Sequence, residues 1–293
     1  MQKTIFTILI ILVGACCAKA VVIFNDGAQH IIAYVIDDAV LVDYDTPGMG
    51  TQVELISGGW IEWSLGAYEQ SQITVWNGNI DGGIDAHGSS QVGIYGGTME
   101  SFVGYNYNVV EMTGGEIIED FDTYDDSTAV VSGGIIGMGI DAHGNSEITL
   151  SGGVIGGNIG GLGHSKLNIS GSEIDGSFYV WNESLITLSG SNFQVNGQPV
   201  AYGNFASDYA ILGNDPWGNP CLTGNLTGIL GDGSPLDNTF YIFDDADVTF
   251  VPEPATLFLM VLGGLISRNH LHKTGDYNII VSTITTHKTS KGG

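Results

Sequence analysis

The same nineteen-residue pattern occurs three times in residues 127–183, which read STAVVSGGIIGMGIDAHGN, SEITLSGGVIGGNIGGLGH and SKLNISGSEIDGSFYVWNE. Each segment opens with serine, continues with apolar residues at alternate positions, and reaches a pair of small residues at its seventh position. The alternation is typical of a half-buried β-strand. The small pair lets the chain turn, because glycine tolerates positive φ.

Equivalent positions extend this pattern over residues 52–198. The opening residue, which we call the anchor ladder, recurs in steps of 18 or 19 at Ser71, Ser90, Asn108, Ser127, Ser146, Ser165 and Ser184. Nine residues after each anchor comes the isoleucine ladder, Ile80, Met99, Ile117, Ile136, Ile155, Ile174 and Phe193. Three residues before each anchor comes the ring ladder, Tyr68, His87, Tyr105, Tyr124, His143, Leu162 and Trp181. Such registered ladders predict stacked repeats.

The length of the repeat excludes other repeat folds. A period of nineteen is too short for helix pairs or propeller blades, and residues 52–198 lack a 3.6-residue apolar period. We therefore expect an all-β fold, a single-stranded parallel β-helix (β-solenoid) of about seven or eight turns. Residues 21–51 are expected to form an N-terminal cap. Residues 199–250 are expected to form a C-terminal cap, in which segments 239–243 and 247–251 pair as a β-hairpin.

Residues 1–20 have the three parts of a secretory signal peptide. Lys3 precedes the apolar run 4–13, and Ala18-Lys19-Ala20 supplies a small-residue cleavage site. Cleavage there would make Val21 the first residue. A second interpretation takes Val13-Gly14-Ala15-Cys16 as a lipoprotein box, which would place a lipid on Cys16.

The C-terminal region carries a second targeting pattern. Val251, Pro252, Glu253 and Pro254 lead into the apolar run 255–266, which is expected to form a short helix and is closed by Arg268. This order resembles the PEP-CTERM sorting signal of bacterial exported proteins, here over residues 251–268. The resemblance implies recognition by an exosortase-like enzyme, transient association with the inner membrane, and delivery to the cell surface or extracellular matrix of a bacterium with an outer membrane. Family members end in an arginine cluster, so residues 269–293 are an atypical extension.

The charge distribution excludes one class of partner. Residues 21–250 contain 30 of the 32 carboxylates of the chain and a single basic residue, Lys166. Nucleic-acid binding is therefore not expected, since phosphate recognition needs clustered Lys and Arg. The acidity favours either divalent cations as partners or a solubility role that keeps stacked rods apart.

Six aspartates provide hard oxygen ligands of the kind that calcium prefers: Asp81, Asp85, Asp122, Asp125, Asp126 and Asp141. No other cofactor is expected. Zinc is not favoured, because His87 and His143 are three turns apart, at about 14 Å, and cannot share an ion. The calcium-binding nonapeptide period is absent from this nineteen-residue repeat.

Catalytic residues are not predicted. Asp85 and Asp141 occur in the string Asp-Ala-His-Gly, but the ladder position of the histidines also accepts Leu162 and Trp181, which indicates packing. We therefore expect an exported, non-enzymatic scaffold or adhesive protein. The alternative is a carbohydrate-active or carbohydrate-binding β-helix that acts on extracellular polysaccharide, with exposed members of the ring ladder as stacking residues.

Overall fold

A computed structural model describes residues 21–45 and 47–253. The described residues up to Val251 belong to one compact unit, and only Pro252 and Glu253 of the second unit are described. The predicted signal peptide, residues 254–268 of the sorting signal and the extension 269–293 lie outside the described residues. Among the residues that are described, no helix is long and apolar enough to cross a membrane.

The strands form three faces around a coiled chain. The first face contains β2 (Gln29–Ile32), β5 (Gln52–Leu55), β8 (Gln72–Val75), β11 (Gln91–Ile94), β14 (Val109–Met112), β17 (Thr128–Val131), β20 (Glu147–Ile155), β22 (Lys166–Ile174), β24 (Leu185–Val195) and β29 (Asp247–Pro252). The second face contains β3 (Val35–Ile36), β6 (Trp60–Ile61), β9 (Asn79–Ile80), β12 (Thr98–Met99), β15 (Glu116–Ile117) and β18 (Ile135–Ile136), and the second halves of β20 and β22 continue it.

The third face contains β1 (Val21–Phe24), β4 (Ala39–Val42), β7 (Leu65–Ala67), β10 (Ile84–Ala86), β13 (Phe102–Gly104), β16 (Phe121–Thr123), β19 (Ile140–Ala142), β21 (Ile159–Gly161), β23 (Phe178–Val180) and β28 (Pro235–Ile242). Four elements lie outside the repeat: β25 (Gln198–Pro199), the 3-10 helix η1 (Ala206–Tyr209), β26 (Ile211–Asn214) and β27 (Pro220–Leu230).

Pairing between repeats confirms the predicted fold class. Residues one repeat apart are parallel register partners on each face, as Gln72 and Gln91 are on the first face and Phe121 and Ile140 on the third. The chain therefore forms a β-solenoid with a period of about 19 residues. It has about nine turns, more than the seven or eight expected.

An additional solenoid turn lies at the N-terminal end, where a separate cap was expected. Strands β1, β2 and β3 pair in parallel with β4, β5 and β6, so residues 21–51 form the first turn of the solenoid. Ile32, Val40 and Val42 face inward and are fully buried, as in later turns. Gln29 and its partner Gln52 are 23 residues apart instead of 19, so the first turn cannot be recognised from the nineteen-residue period.

The C-terminal hairpin prediction is also wrong. Strand β28 pairs in parallel with β23, and β29 pairs with β24, so both strands resume the solenoid. Phe240 is the register partner of Phe178, 62 residues earlier. The intervening chain forms an antiparallel excursion in which β27 pairs with β24, β26 and β28. The inward residues Phe240, Val248 and Phe250 are buried, which favours stacking on the preceding turn.

The interior is built from the predicted ladders. The isoleucine ladder is buried along its whole length, which confirms the expected single stack. The anchor ladder is buried as well. Its hydroxyls help close the corner after the third face: Ser127 Oγ donates to Tyr124 O at 2.7 Å, and Ser184 Oγ donates to Trp181 O at 2.7 Å. At these two turns a small hydroxyl therefore satisfies a corner carbonyl inside the core, whereas the hydroxyls of Ser71 and Ser90 have no hydrogen-bond partner.

Candidate functional site

The ring ladder forms a stack along one corner of the rod. Its planes are nearly parallel, and the centroid separations are 4.9 Å for Tyr68–His87, 4.8 Å for His87–Tyr105, 5.1 Å for Tyr105–Tyr124 and 4.2 Å for Tyr124–His143. Each of these rings is half-buried. Neighbouring rings cover the faces inside the stack, so it mainly presents ring edges to solvent. The expected use of Tyr105 and Tyr124 as sugar-stacking platforms is therefore not favoured by this geometry.

An outward-facing ladder runs beside the rings at the middle residue of each third-face strand. We call it the aspartate ladder; in chain order it comprises Gly66, Asp85, Val103, Asp122, Asp141, Gly160 and Tyr179. Asp122 and Asp141 are direct register partners, whereas Val103 separates Asp85 from Asp122. Strand pairing therefore holds two carboxylates one rung apart on the same side of a sheet.

This arrangement changes the ionisation of both acids. Burial, followed by repulsion from Asp141 and Asp120, raises the pKa of Asp122 to about 7. Burial, with a further contribution from Asp120, also raises the pKa of Asp141. The pKa of His143 is lowered by burial. The folded protein therefore favours a proton or another cation between the two aspartates at neutral pH.

Three of these side chains lie close enough together to hold a metal ion. Ligand atoms of Asp122, Asp141 and His143 lie within 4.8 Å of one another. Two carboxylates and an imidazole suit divalent transition metals, and calcium could use the oxygens. Sequence reasoning missed His143 as a ligand. The signal was Asp141-Ala142-His143, since alternate residues leaving a strand emerge on the same side.

The six predicted calcium ligands do not form one site. Asp81 lies near the second face and accepts a hydrogen bond from Trp60 Nε1 at 2.8 Å. Asp125 accepts one from the backbone N–H of Asn106 at 3.1 Å, and Asp126 accepts one from Asn145 Nδ2 at 3.1 Å. Asp85 is two rungs from Asp122. Only Asp122 and Asp141 are brought together.

A shallow depression of about 380 Å³ lies beside the aspartate pair, with Asp120, Asp141 and Asn158 in its lining. Glycines from successive turns open this space. A Cβ atom at Gly157 would lie 1.5 Å from the backbone oxygen of Met138, so the chain accepts no side chain there. The depression is therefore bordered by side-chain oxygens and bare backbone.

Asp122 and Asp141 are the two aspartates of this ladder that are close enough to act on one group. They project from the same side of adjacent strands, about 5 Å apart, which is similar to the separation of the two carboxyl groups in retaining glycosidases. Asp85 and Asp141 are three turns apart, at about 14 Å.

The sorting motif is described only in part. Strand β29 ends at Pro252, and Glu253 follows it. Pro254 and Arg268 lie outside the described residues, as does the predicted apolar helix 255–266.

No protein family, curated protein or solved structure that was compared with this chain matches it.

Proposed function

We propose that the protein is an exported, non-enzymatic β-solenoid that acts as a scaffold or adhesive surface on the cell or in its extracellular matrix, after sorting by an exosortase-type system. The observation that carries the proposal is the continuous stacking of about nine turns, which fixes long, regular ladders on the outer faces. A rod of about 43 Å offers repeated contacts along its length.

The surface chemistry supports this role. Thirty carboxylates and one lysine in residues 21–250 give the rod a strongly negative field. Such a field keeps neighbouring rods apart in solution and attracts cations from the medium. Divalent cations bound between carboxylates of different molecules would turn the same surface into a cohesive one.

The ends of the rod support the proposed export route. Val21, the residue that signal cleavage after Ala20 would expose, lies in strand β1. Strand β29 ends at Pro252, at the start of the Pro-Glu-Pro motif. Both proposed processing positions therefore adjoin extended backbone in the outermost described strands, where cleavage would leave the stacked core intact.

Expression in a host that contains an exosortase tests the route. The surface-associated protein should lack residues 269–293 by mass spectrometry. A Pro252→Ala, Glu253→Ala double variant should remain in the inner membrane. Glu183→Ala, which removes one exposed carboxylate from the rod, is the matched control and should be processed normally. Detection of intact Gly293 on the surface-located protein would contradict the proposal.

A further inference from the structure

Five aromatic rings cluster at the C-terminal end of the rod, beyond the interruption of the ring ladder at Leu162. Tyr179 stacks on Tyr241 of the last turn at 4.8 Å and on Trp181 at 5.4 Å. Trp181 stacks on Phe243 at 5.1 Å, and Trp217 from the excursion tilts by 47° against Tyr179 at 5.5 Å. Unlike the ring ladder, this cluster ends in an indole that remains 70% exposed.

The loop that carries Trp217 is held in one conformation. The carboxylate of Asp215, only 6% exposed as a residue, accepts hydrogen bonds from the backbone N–H groups of Trp217 and Asn219 at 3.0 and 2.7 Å, and from Asn219 Nδ2 at 2.8 Å. Gly218, with a φ of +90°, completes the turn. The chain therefore fixes the backbone of an indole that solvent largely surrounds, which reduces the entropy lost when a ligand packs against it.

The ring cluster is continuous with the aspartate pair. Tyr179 follows Asp141 on the aspartate ladder, with only Gly160 between them. A Cβ atom at Gly160 would lie 1.9 Å from Asp141 Oδ1, so the carboxylate lies over the bare rung. Asp141 and Tyr179 are two rungs apart, about 10 Å. Tyr179 itself is only 6% exposed and packs against Trp217, so it connects the ladder of Asp141 to the exposed indole.

We propose that the exposed indole of Trp217 and the half-buried Trp181, together with the carboxylate of Asp141, bind a saccharide chain that carries no acidic groups. Aromatic rings contact the C–H faces of sugars, while a carboxylate accepts hydrogen bonds from their hydroxyl groups. The negative charge of residues 21–250 repels polyuronates and other polyanions, which selects neutral or amine-bearing chains. The ligand class follows from the rings and from the charge together.

This inference deepens the adhesive role, on which it rests, by assigning a ligand class. Glycan binding is measured with the purified protein and does not depend on export. Failure of glycan binding and failure of surface delivery are therefore separate results.

The test is a glycan array with immobilised neutral, amine-bearing and uronate-bearing oligosaccharides, followed by titration calorimetry with the best-bound soluble oligosaccharide. The full-length protein should bind members of the non-acidic sets at least tenfold more tightly than uronates of equal length. Trp217→Ala should weaken that binding at least tenfold, and Trp217→Phe should retain a measurable part of it. Asp141→Asn should weaken binding without abolishing it.

The matched control is Leu212→Ala, because Leu212 is a large apolar side chain of the same excursion and is 87% exposed. It should bind like the unmodified protein, and all variants should keep the β-sheet circular dichroism signal of that protein. Binding to none of the three sets, equal binding to uronates, or an unchanged affinity of Trp217→Ala would each overturn the inference. Loss of concentration-dependent self-association in Trp217→Ala, without a change in glycan affinity, would instead identify the rings as a protein contact.

Discussion

Replacing Asp122 with Asn should stabilise the protein at alkaline pH. The pKa of Asp122 is raised from its ordinary value of 3.8 to about 7, so ionisation costs the folded state more than the unfolded state. Below pH 3.8 both states are protonated and the penalty is absent. The penalty grows as pH rises towards 7 and is fully present above it. Asparagine is neutral throughout and removes it.

At about 1.4 kcal/mol per pKa unit, the raised pKa of Asp122 corresponds to a loss of about 4 kcal/mol in the free energy of unfolding before screening. Asp122 is only half-buried, so water and counterions screen a large part of the repulsion. We therefore expect Asp122→Asn to raise the free energy of unfolding by about 1–2 kcal/mol at pH 8. At pH 5 the gain should fall to less than half of that value.

Urea unfolding, followed by circular dichroism at the two pH values, measures the effect. Asp85→Asn is the matched control, because it makes the same substitution on the same ladder between the uncharged partners Gly66 and Val103. Its gain should be much smaller. An unchanged free energy of unfolding for Asp122→Asn at pH 8, or equal gains for the two variants at both pH values, would contradict repulsion at Asp122.

Two further predictions concern the core and the cation site. Ile155→Asp should abolish the β-sheet circular dichroism signal, because a carboxylate in this fully buried position costs several kcal/mol of a typical stability of about 5–15 kcal/mol. The control Ile155→Val should lower the free energy of unfolding by only about 0.5–1.5 kcal/mol. A normal melting temperature for the aspartate variant would contradict the buried stack. Calcium or manganese should raise the melting temperature more than sodium does at matched ionic strength, and Asp141→Asn should remove the difference. Equal effects of all three salts would show that the carboxylates are merely solvated and hold no specific cation.

The regular part of the fold could be predicted because its signal is repeated. Ile117, Ile136 and Ile155 share one position in successive nineteen-residue segments, and only stacking buries them together. The end turns could not be predicted in the same way. The first has a longer spacing, and the last follows a long excursion and has Ala246 at the anchor position.

The candidate site was predicted less well than the fold. The repeat predicts the shared ladder position of Asp122 and Asp141. Whether the His143 imidazole lies beside them depends on how the chain leaves the third-face strand. Trp217 lies on an excursion that has no period. Its contact with Tyr179 joins segments far apart in sequence, and nothing in the repeat indicates it.

The excursion before the last turn also has a consequence for the order of folding. Most turns close after 18 or 19 residues, so they can form locally and propagate along the chain as it is synthesised. The last turn must close a loop of 62 residues between Phe178 and Phe240, which adds about 1 kcal/mol of chain entropy relative to an ordinary turn. It is therefore expected to dock last and to open first. Because Tyr241 and Phe243 arrive with that turn, a nascent or truncated chain would carry a stable rod but no complete ring cluster.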